Sequence, residues 1–477
     1  MLRQLNLNAG LKRRATVVAY LNEMVDRQYL EDSVVSGLMR VGDHLDRVLT
    51  SSAVIDILRE RVLTVAQATT TKDLDDIAKG ISAGNCAVLV DGCKEALVCQ
   101  VQGWKGRSIQ DPTSESTISG PEEGFVESLD DNVSLLRRYI LSNHLRVEYF
   151  RSGRVTATRI ALAYVSGVAS DRLAQEGRRR LSRIDVEGIS SSLEEHIEDG
   201  ALSLFPTLLR TQRTDRAIAA LLEGRLVFLV DGNPDILVAP ATISMFLSSP
   251  EDYYERFWVG TSLRIVRMMA LLLSLLLPGL YVAVTTFHQE SLPTRLILAI
   301  AAQREGIPFP ALVEALLIEV LFEILREAGV RLPRIQGPAV SIIGALILGD
   351  AAIRARLVSP AMVVVVAATG VSSFASPATS FQNSIRILRF AFTIAAAAMG
   401  IFGMSIVFFV MLIHLNSLRS FGVPYLEPYS PTVTRDFSDS LVRAPQWARK
   451  PQPWLVWPKG GKRSTGPRPG PPKGGNS

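Results

Sequence analysis

The uneven distribution of charge is the feature that most constrains how this chain can fold. Over its 477 residues the chain is 48% hydrophobic and 20% charged, which is the average composition of a soluble protein. Charged residues occur throughout the first half, whereas several apolar runs between Leu263 and Leu415 approach the ~20 residues that a helix needs to cross a bilayer. A chain of this length is expected to hold two or three folding units. The sequence therefore predicts a soluble N-terminal part followed by an α-helical transmembrane domain of four to six spans.

The soluble part carries both helical and strand patterns. Charged and aliphatic residues alternate at three- and four-residue spacing from Val18 to Lys79, which predicts helix. Two apolar stretches, Cys86 to Val90 and Ala96 to Val101, then flank the turn pair Asp91-Gly92 and predict a β-hairpin. We therefore expect an α/β fold for this part.

Two segments of the soluble part are similar to each other. Residues 84–92 read GNCAVLVDG and residues 224–232 read GRLVFLVDG, and each is followed by a second apolar strand. One interpretation is a duplicated α/β domain that binds something between its halves, with residues 1–110 as subdomain 1 and 111–259 as subdomain 2. The other is a pair of unrelated hairpins that share a common turn dipeptide.

The cysteines and the first basic residues of the membrane region indicate the compartment in which the N-terminal domain lies. Cys86, Cys93 and Cys99 are odd in number and lack the spacing of a zinc site, which favours plain thiols in a reducing environment. No apolar stretch of the length of a signal peptide is found near the N-terminus. Arg264 and Arg267 precede the first span and favour a cytosolic N-terminal domain.

Four apolar runs predict spans within the transmembrane domain, residues 260–417. They are Met268 to Thr286, Val340 to Ile353, Ala361 to Pro377, and Ile387 to Leu415. Pro278 and Gly279 predict a helix break in the first run, which neighbouring helices or water can compensate. An amphipathic helix, Ile307 to Val330, forms either a fifth span or part of a re-entrant pair. Residues 418–477 are basic and rich in Pro and Gly, and we expect this tail to be largely disordered.

Acidic side chains in the amphipathic helix are candidates for an ion path. Glu319, Glu323 and Glu327 fall at i, i+4 and i+8 and form one stripe. In an oligomer this stripe would become rings of carboxylates, as in cation channels. The alternative is a solvated helix face, on which Glu323 pairs with Arg326.

Hydroxyl side chains and one further acid follow along the membrane domain. Thr369, Ser373 and Ser376 recur every three or four residues, either to line a water-filled pore or to allow close helix packing. Asp350 lies in an apolar run and is a functional candidate, although a pair with Arg354 would explain it equally well.

Signals of catalysis are poor. The five histidines are scattered, without the spacing of metal ligands, and no Gly-rich phosphate loop follows a strand. We therefore predict no enzyme activity, no cofactor and no metal site.

A series of motifs runs in order along nearly the whole chain. They are residues 120–129 (GPEEGFVESL), 183–188 (RIDVEG), 249–257 (SPEDYYERF), 277–283 (LPGLYVA), 288–294 (HQESLPT), 326–333 (REAGVRLP) and 421–426 (FGVPYL). By these motifs the chain resembles the GerA family of spore germination proteins, A-subunit type.

The resemblance implies a function in the inner membrane of endospores. Family members keep the N-terminal domain in the cytosol and assemble with a permease-like B subunit and a lipoprotein C subunit. The resemblance further implies a nutrient germinant receptor in which the A subunit forms a homo-oligomer and a nutrient-gated channel for monovalent cations.

Three other functions fit parts of the sequence. A paralogous branch amplifies germination together with dipicolinate release, but the motifs at 251–254 and 278–281 favour the receptor branch. Secondary transporters usually show repeats within the membrane region, whereas similarity here is confined to the soluble part. The basic tail alone would suggest nucleic-acid binding, but attraction to anionic membrane lipids explains it as well, and we expect no nucleic acid.

Overall fold

The computed structural model of the protein describes residues 1–9, 12–40, 51–59, 65, 67–103, 119–188, 193–331, 348–432, 439–440 and 442–445. Two α/β subdomains come first, each with one antiparallel five-stranded sheet, and a group of long helices follows. A short two-stranded pair comes after the last helix.

Subdomain 1 is built on the first sheet. Its strands are β1 (Leu2–Ala9), β2 (Lys12–Ala19), β3 (Ala68–Thr71), β4 (Cys86–Val90) and β5 (Ala96–Cys99). Its helices are α1 (Arg27–Leu30), α2 (Ser36–Arg40), α3 (Ser51–Ile57) and α4 (Leu74–Ser82), with a π-helical turn at Glu31–Val35. The predicted hairpin is confirmed as β4 and β5.

The prediction of helix from Val18 to Lys79 is wrong at its start and again at β3. In β2 the buried residues Thr16 and Val18 are two positions apart, which is the period of a strand. The threonines of β3 are β-branched and favour extended backbone.

Subdomain 2 repeats this architecture. Its strands are β6 (Leu145–Ser152), β7 (Thr158–Val165), β8 (Leu209–Thr211), β9 (Leu226–Val230) and β10 (Ile236–Ala239). Its helices are α5 (Leu129–Tyr139), α6 (Asp171–Leu181), α7 (Leu193–Ile197) and α8 (Thr214–Leu222), and the short helices α9 (Ile243–Leu247) and α10 (Glu251–Tyr254) lead out of it.

The two sheets have the same strand order. The first runs β1-β2-β4-β5-β3 and the second β6-β7-β9-β10-β8. The two similar sequence segments form β4 and β9, which hold the equivalent middle place. The halves are therefore alike in topology, as the internal similarity predicted.

Besides a short helical stretch at residues 348–354, the described part of the membrane region contains five helices of more than ten residues. They are α11 (Phe257–Thr286), α12 (Thr294–Arg304), α13 (Ala311–Arg331), α14 (Pro360–Ser373) and α15 (Thr379–Ser417). By length and composition, α11 and α15 are the two described helices that can cross a membrane. The predicted count of four to six spans is therefore not reached by these criteria. Most of the run Val340 to Ile353 lies outside the described residues.

The break predicted at Pro278 and Gly279 is wrong, because α11 continues through both residues. Gly279 serves packing instead. A Cβ atom there would lie 3.2 Å from the carbonyl oxygen of Phe392 and 3.3 Å from Cε of Met404. The missing side chain thus allows α15 to approach α11 closely.

The break in this region lies in α15, at Met399 and Gly400. Gly400 has φ 61° and ψ −144°, a conformation that is essentially restricted to glycine. Near one end of α15 the ring of Phe381 lies 5.9 Å from that of Phe205, and near the other end the ring of His414 lies 6.2 Å from the same Phe205. The helix therefore folds back on itself as two antiparallel arms, residues 379–398 and 401–417, of about 30 and 26 Å at 1.5 Å per residue.

The segment after α15 returns to subdomain 2. Strands β11 (Arg419–Ser420) and β12 (Val423–Pro424) pack there, and Arg443 is only 5% exposed. The prediction of a disordered tail from residue 418 is therefore wrong for residues 419–432 and for Arg443. Residues 446–477 lie outside the described part.

Candidate functional site

Two acids of α13 face two arginines of α15. Nη2 of Arg389 lies 3.1 Å from Oε1 of Glu323, and Nε of Arg389 lies 3.5 Å from Oε1 of Glu319. Nε of Arg386 lies 3.6 Å from Oε1 of Glu323, and Arg326 pairs with the other oxygen of Glu323. We call these five side chains the ion-pair network. They join α13 to the first arm of α15.

The inner pair of the network is fully buried, while Glu323, Arg326 and Arg386 are partly buried. Glu319 is 0% exposed and Arg389 is 2% exposed. Arg389 lies ten residues from the start of its arm, about 15 Å along an arm of about 30 Å. Removing charges from water costs several kcal/mol per ion, and ionisable residues kept at such positions usually serve a function.

The predicted acidic stripe is divided by this arrangement. Glu319 and Glu323 turn towards the arginines of α15, whereas Glu327 is exposed and pairs with Arg331 at 2.7 Å. The alternative of a solvated helix face is wrong for Glu319, which is fully buried. Arg386 and Arg389 were not singled out from the sequence, although two arginines in so apolar a helix were a signal.

The hydroxyl stripe contributes to packing at two of its three positions. Thr369 is buried and donates to the carbonyl oxygen of Val365 at 2.8 Å, and Ser373 donates to that of Gly370 at 2.7 Å. A Cβ atom at Gly370 would lie 2.5 Å from the ring of Phe322, so α13 and α14 are in close contact. Ser376 differs, because its buried hydroxyl has no hydrogen-bond partner among the described residues.

Asp350 lies apart from the network. Its carboxylate pairs with Nε of Arg354 at 2.8 Å, and both side chains are more than half exposed. The simple i, i+4 pair considered from the sequence accounts for this contact.

A second group of charges surrounds Asp252, where subdomain 2 meets α11. Asp252 is 0% exposed and accepts from Nε of Arg264 at 2.9 Å and from Nη2 of Arg267 at 2.6 Å. Burial by itself raises the pKa of Asp252, but the hydrogen bonds from Arg267 and Arg264 outweigh it and lower the pKa below its usual value. Arg264 also donates to the carbonyl oxygen of Asp439 at 2.8 Å, so the C-terminal segment is held at the same place.

Aromatic rings of subdomain 2 also contact both ends of α15. Phe246 of subdomain 2 stacks on Phe381 at 5.6 Å and lies 6.0 Å from the ring of Tyr425. Ser420 donates to the carbonyl oxygen of Thr207 at 2.6 Å. We call this contact region the junction; it comprises Asp252 with its arginines and the rings of Phe205, Phe246, Phe381 and Tyr425. It fixes α11, both ends of α15 and the returning chain to one subdomain.

Comparisons with known proteins assign the chain to a family. The model of the family described as Bacillus/Clostridium GerA spore germination protein matches residues 1–455. "Spore germination protein KA" of Bacillus subtilis is 45% identical over 441 residues, covering 92% of this chain and 80% of the relative. "Spore germination protein GerLA" of Bacillus cereus is 34% identical over 447 residues, covering 93% and 90%.

Two further similarities concern the membrane and the soluble part. "Uncharacterized membrane protein YfkQ" of Bacillus subtilis is 37% identical over 454 residues, covering 94% of this chain and 86% of the relative. The N-terminal domain of the A subunit of the Bacillus megaterium spore germinant receptor GerK3 is 29% identical, covers 51% of this chain and 89% of that chain, and superimposes with a TM-score of 0.38. The family match across nearly the whole sequence identifies the chain: it belongs to the GerA family of spore germination proteins, A-subunit type.

Proposed function

We propose that the protein is the A subunit of a nutrient germinant receptor and that it oligomerises into a ligand-gated channel for monovalent cations. In this proposal it resides in the spore inner membrane, with the N-terminal domain in the cytosol. Its partners are a permease-like B subunit and a lipoprotein C subunit. Family membership supports the receptor role, and the ion-pair network is the observation that carries the channel role.

The network suggests how a closed channel is held. While Glu319 and Glu323 are paired with arginines, their charges are neutralised inside the protomer. Separation of α13 from the first arm of α15 would release the carboxylates towards a water-filled path, where acidic groups attract cations. We therefore assign the paired state to the closed channel.

The junction supplies a route for the signal. A partner that shifts subdomain 2 would shift α11 through Asp252 and both ends of α15 through Phe205 and Phe246. Helices transmit such shifts because packed elements move as units between discrete arrangements. The network would then be pulled open from the first arm of α15.

The test is cation flux through the reconstituted receptor. The full chain is purified with its B and C partners and placed in vesicles that contain K⁺, and a mixture of amino acids and sugars serves as the nutrient. We expect nutrient-dependent K⁺ release that vesicles without this chain do not show. Equal release from both kinds of vesicle would refute the channel role.

A matched pair of variants tests the site within this assay. Glu323→Gln should slow nutrient-triggered K⁺ release, because it removes a carboxylate that the open path would use, and it should raise K⁺ leak without nutrient, because it also removes pairs that hold the closed state. Glu327→Gln, on the same helix but exposed and paired with Arg331, should leave release unchanged. Equal rates for both variants would exclude Glu323 from the path.

A further inference from the structure

A cleft of about 750 Å³ lies where the end of α15 meets subdomain 2. One wall is a face of α6, and the other is the chain from Ser417, the last residue of α15, through β11 to β12. The floor is apolar and consists of four buried side chains, those of Leu173, Leu418, Phe421 and Val423. The cleft is separate from the ion-pair network, and the proposed function makes no use of it.

The cleft lies at the level of the lipid headgroups. The second arm of α15 ends in outward-facing apolar side chains, and the last of them, Ile413, is 70% exposed. Ser417 is four residues further on, about 6 Å along the helix, and the polar layer of a leaflet is about 5–8 Å thick. Trp258, 72% exposed at the start of α11, belongs to the same end of the membrane region, and exposed tryptophans are enriched at this level. A lipid beside the protein can therefore reach the cleft with its headgroup.

Two arginines at the cleft have no acidic partner. Arg172 of α6 and Arg419 of β11 both line the cleft and are exposed. Arg419 donates to the carbonyl oxygen of Gly422 at 3.3 Å, and neither arginine forms an ion pair within the described part of the chain. A guanidinium group has five N–H donors, so most donors of both arginines remain available to a ligand.

The acids of the cleft are already neutralised. Nε of Arg180 lies 2.9 Å from Oε1 of Glu176, and Nη2 of the same arginine pairs with Asp199. Asp199 also accepts from the backbone N–H of Gly422 at 3.3 Å. Three arginines and two carboxylates thus line the cleft, which leaves one positive charge in excess. This balance favours a ligand with a net negative charge.

We propose that this cleft binds the phosphate group of an anionic phospholipid from the adjacent leaflet. The phosphate oxygens accept from the guanidinium groups of Arg172 and Arg419, a geometry that arginine and phosphate form readily. The apolar floor is covered by the glycerol and the first methylene groups of the lipid. The bound lipid joins α6 to the end of α15 and so holds subdomain 2 against the membrane. The inference rests on the membrane placement of α15 and not on channel activity.

The direct test is lipid-specific stabilisation of the purified full chain in a neutral detergent. Melting midpoints are measured with dihexanoyl phosphatidylglycerol, with dihexanoyl phosphatidylcholine and with sodium phosphate, at equal ionic strength. A ligand that binds the folded state raises the midpoint, so we expect a rise with phosphatidylglycerol that the other two do not give. An equal rise with phosphatidylcholine would refute recognition of an anionic headgroup. An equal rise with sodium phosphate would assign the cleft to free phosphate, and no rise at all would refute the site.

Variants locate the effect. Arg172→Gln and Arg419→Gln should each raise the phosphatidylglycerol concentration for half-maximal stabilisation about tenfold, because each removes a charge-assisted hydrogen bond to the phosphate. Arg183→Gln, at an exposed arginine of the same subdomain outside the cleft, is the matched control and should leave that concentration unchanged. Midpoints without lipid show that the variants are folded. Half-maximal concentrations that stay unchanged in the cleft variants, or that rise as much in Arg183→Gln, would overturn the assignment.

Discussion

Removal of Arg389 should destabilise the membrane region strongly. In Arg389→Gln, Glu319 loses its only ion-pair partner among the described residues while it remains fully buried. Glu323 keeps Arg326 and Arg386. The cost is therefore that of one stranded carboxylate, and breaking a buried pair in this way typically costs about 3–5 kcal/mol.

The double variant Glu319→Gln with Arg389→Gln separates the interaction energy of the pair from the effect of losing either side chain alone. With both charges gone, no ion is left unpaired, and we expect most of the lost free energy of unfolding to return. The coupling energy from the double-mutant cycle should thus reach about 2 kcal/mol or more. The free energy of unfolding is measured by titrating detergent-solubilised protein with a denaturing detergent.

The chain supplies its own control. The pair of Asp350 and Arg354 has the same chemistry, but both side chains are more than half exposed. Its cycle should give a coupling below about 1 kcal/mol. The reasoning would be refuted if the two cycles gave equal couplings, or if Arg389→Gln alone cost less than about 1 kcal/mol.

Three further predictions concern other parts of the chain. Backbone N–H groups of Thr156 and Val155 donate to Glu187 and lower its pKa to about 2, so the ionised carboxylate holds the β6–β7 turn in place. This stabilisation is present above the unfolded pKa of about 4 and is lost as the pH falls towards 2. Hydrogen exchange of residues 153–157 should therefore rise over that pH range, and in Glu187→Gln it should be raised already at neutral pH. Gly400→Ala would place a Cβ atom 2.6 Å from Cε1 of His288, in a backbone conformation reserved for glycine, and should lower the free energy of unfolding by about 1–3 kcal/mol. Gly349→Ala is the control: its Cβ atom would lie 3.9 Å from the nearest neighbour, so the loss measured in the same unfolding assay should be much smaller. A membrane-impermeant maleimide should label Cys93, the most exposed of the three thiols, only in broken membranes; labelling in intact cells would contradict a cytosolic N-terminal domain.

Local patterns in the sequence predicted the parts of the fold that local chemistry decides. The β4–β5 hairpin follows from apolar runs around Asp91-Gly92, whose glycine has φ 77°. The β1–β2 hairpin was missed because three consecutive basic residues, Lys12 to Arg14, obscure the alternation of a strand. The fold-back of α15 was missed because Gly400 lies in an uninterrupted apolar run, which gives no turn signal.

The candidate site was only half predictable for a different reason. Glu319 and Glu323 are visible as a stripe because they share one helix face, and helix periodicity is a property of the sequence. Their partners lie on another helix, and Arg389 follows Glu323 by 66 residues. Which helices meet is decided by packing, so the sequence could not distinguish an acidic ring from a neutralised network.

The fold-back at Gly400 links the two halves of the molecule. Because α15 returns, its ends meet the same ring of Phe205, and the chain that follows can close on subdomain 2. From Phe381 in that contact to Arg389 in the network there are eight residues, about 12 Å along one helix arm. A helix of two turns does not bend appreciably over this length, so we expect a displacement at Phe381 to be passed on to Arg389. We therefore expect the junction and the ion-pair network to move together, although no side chain of subdomain 2 needs to contact the network.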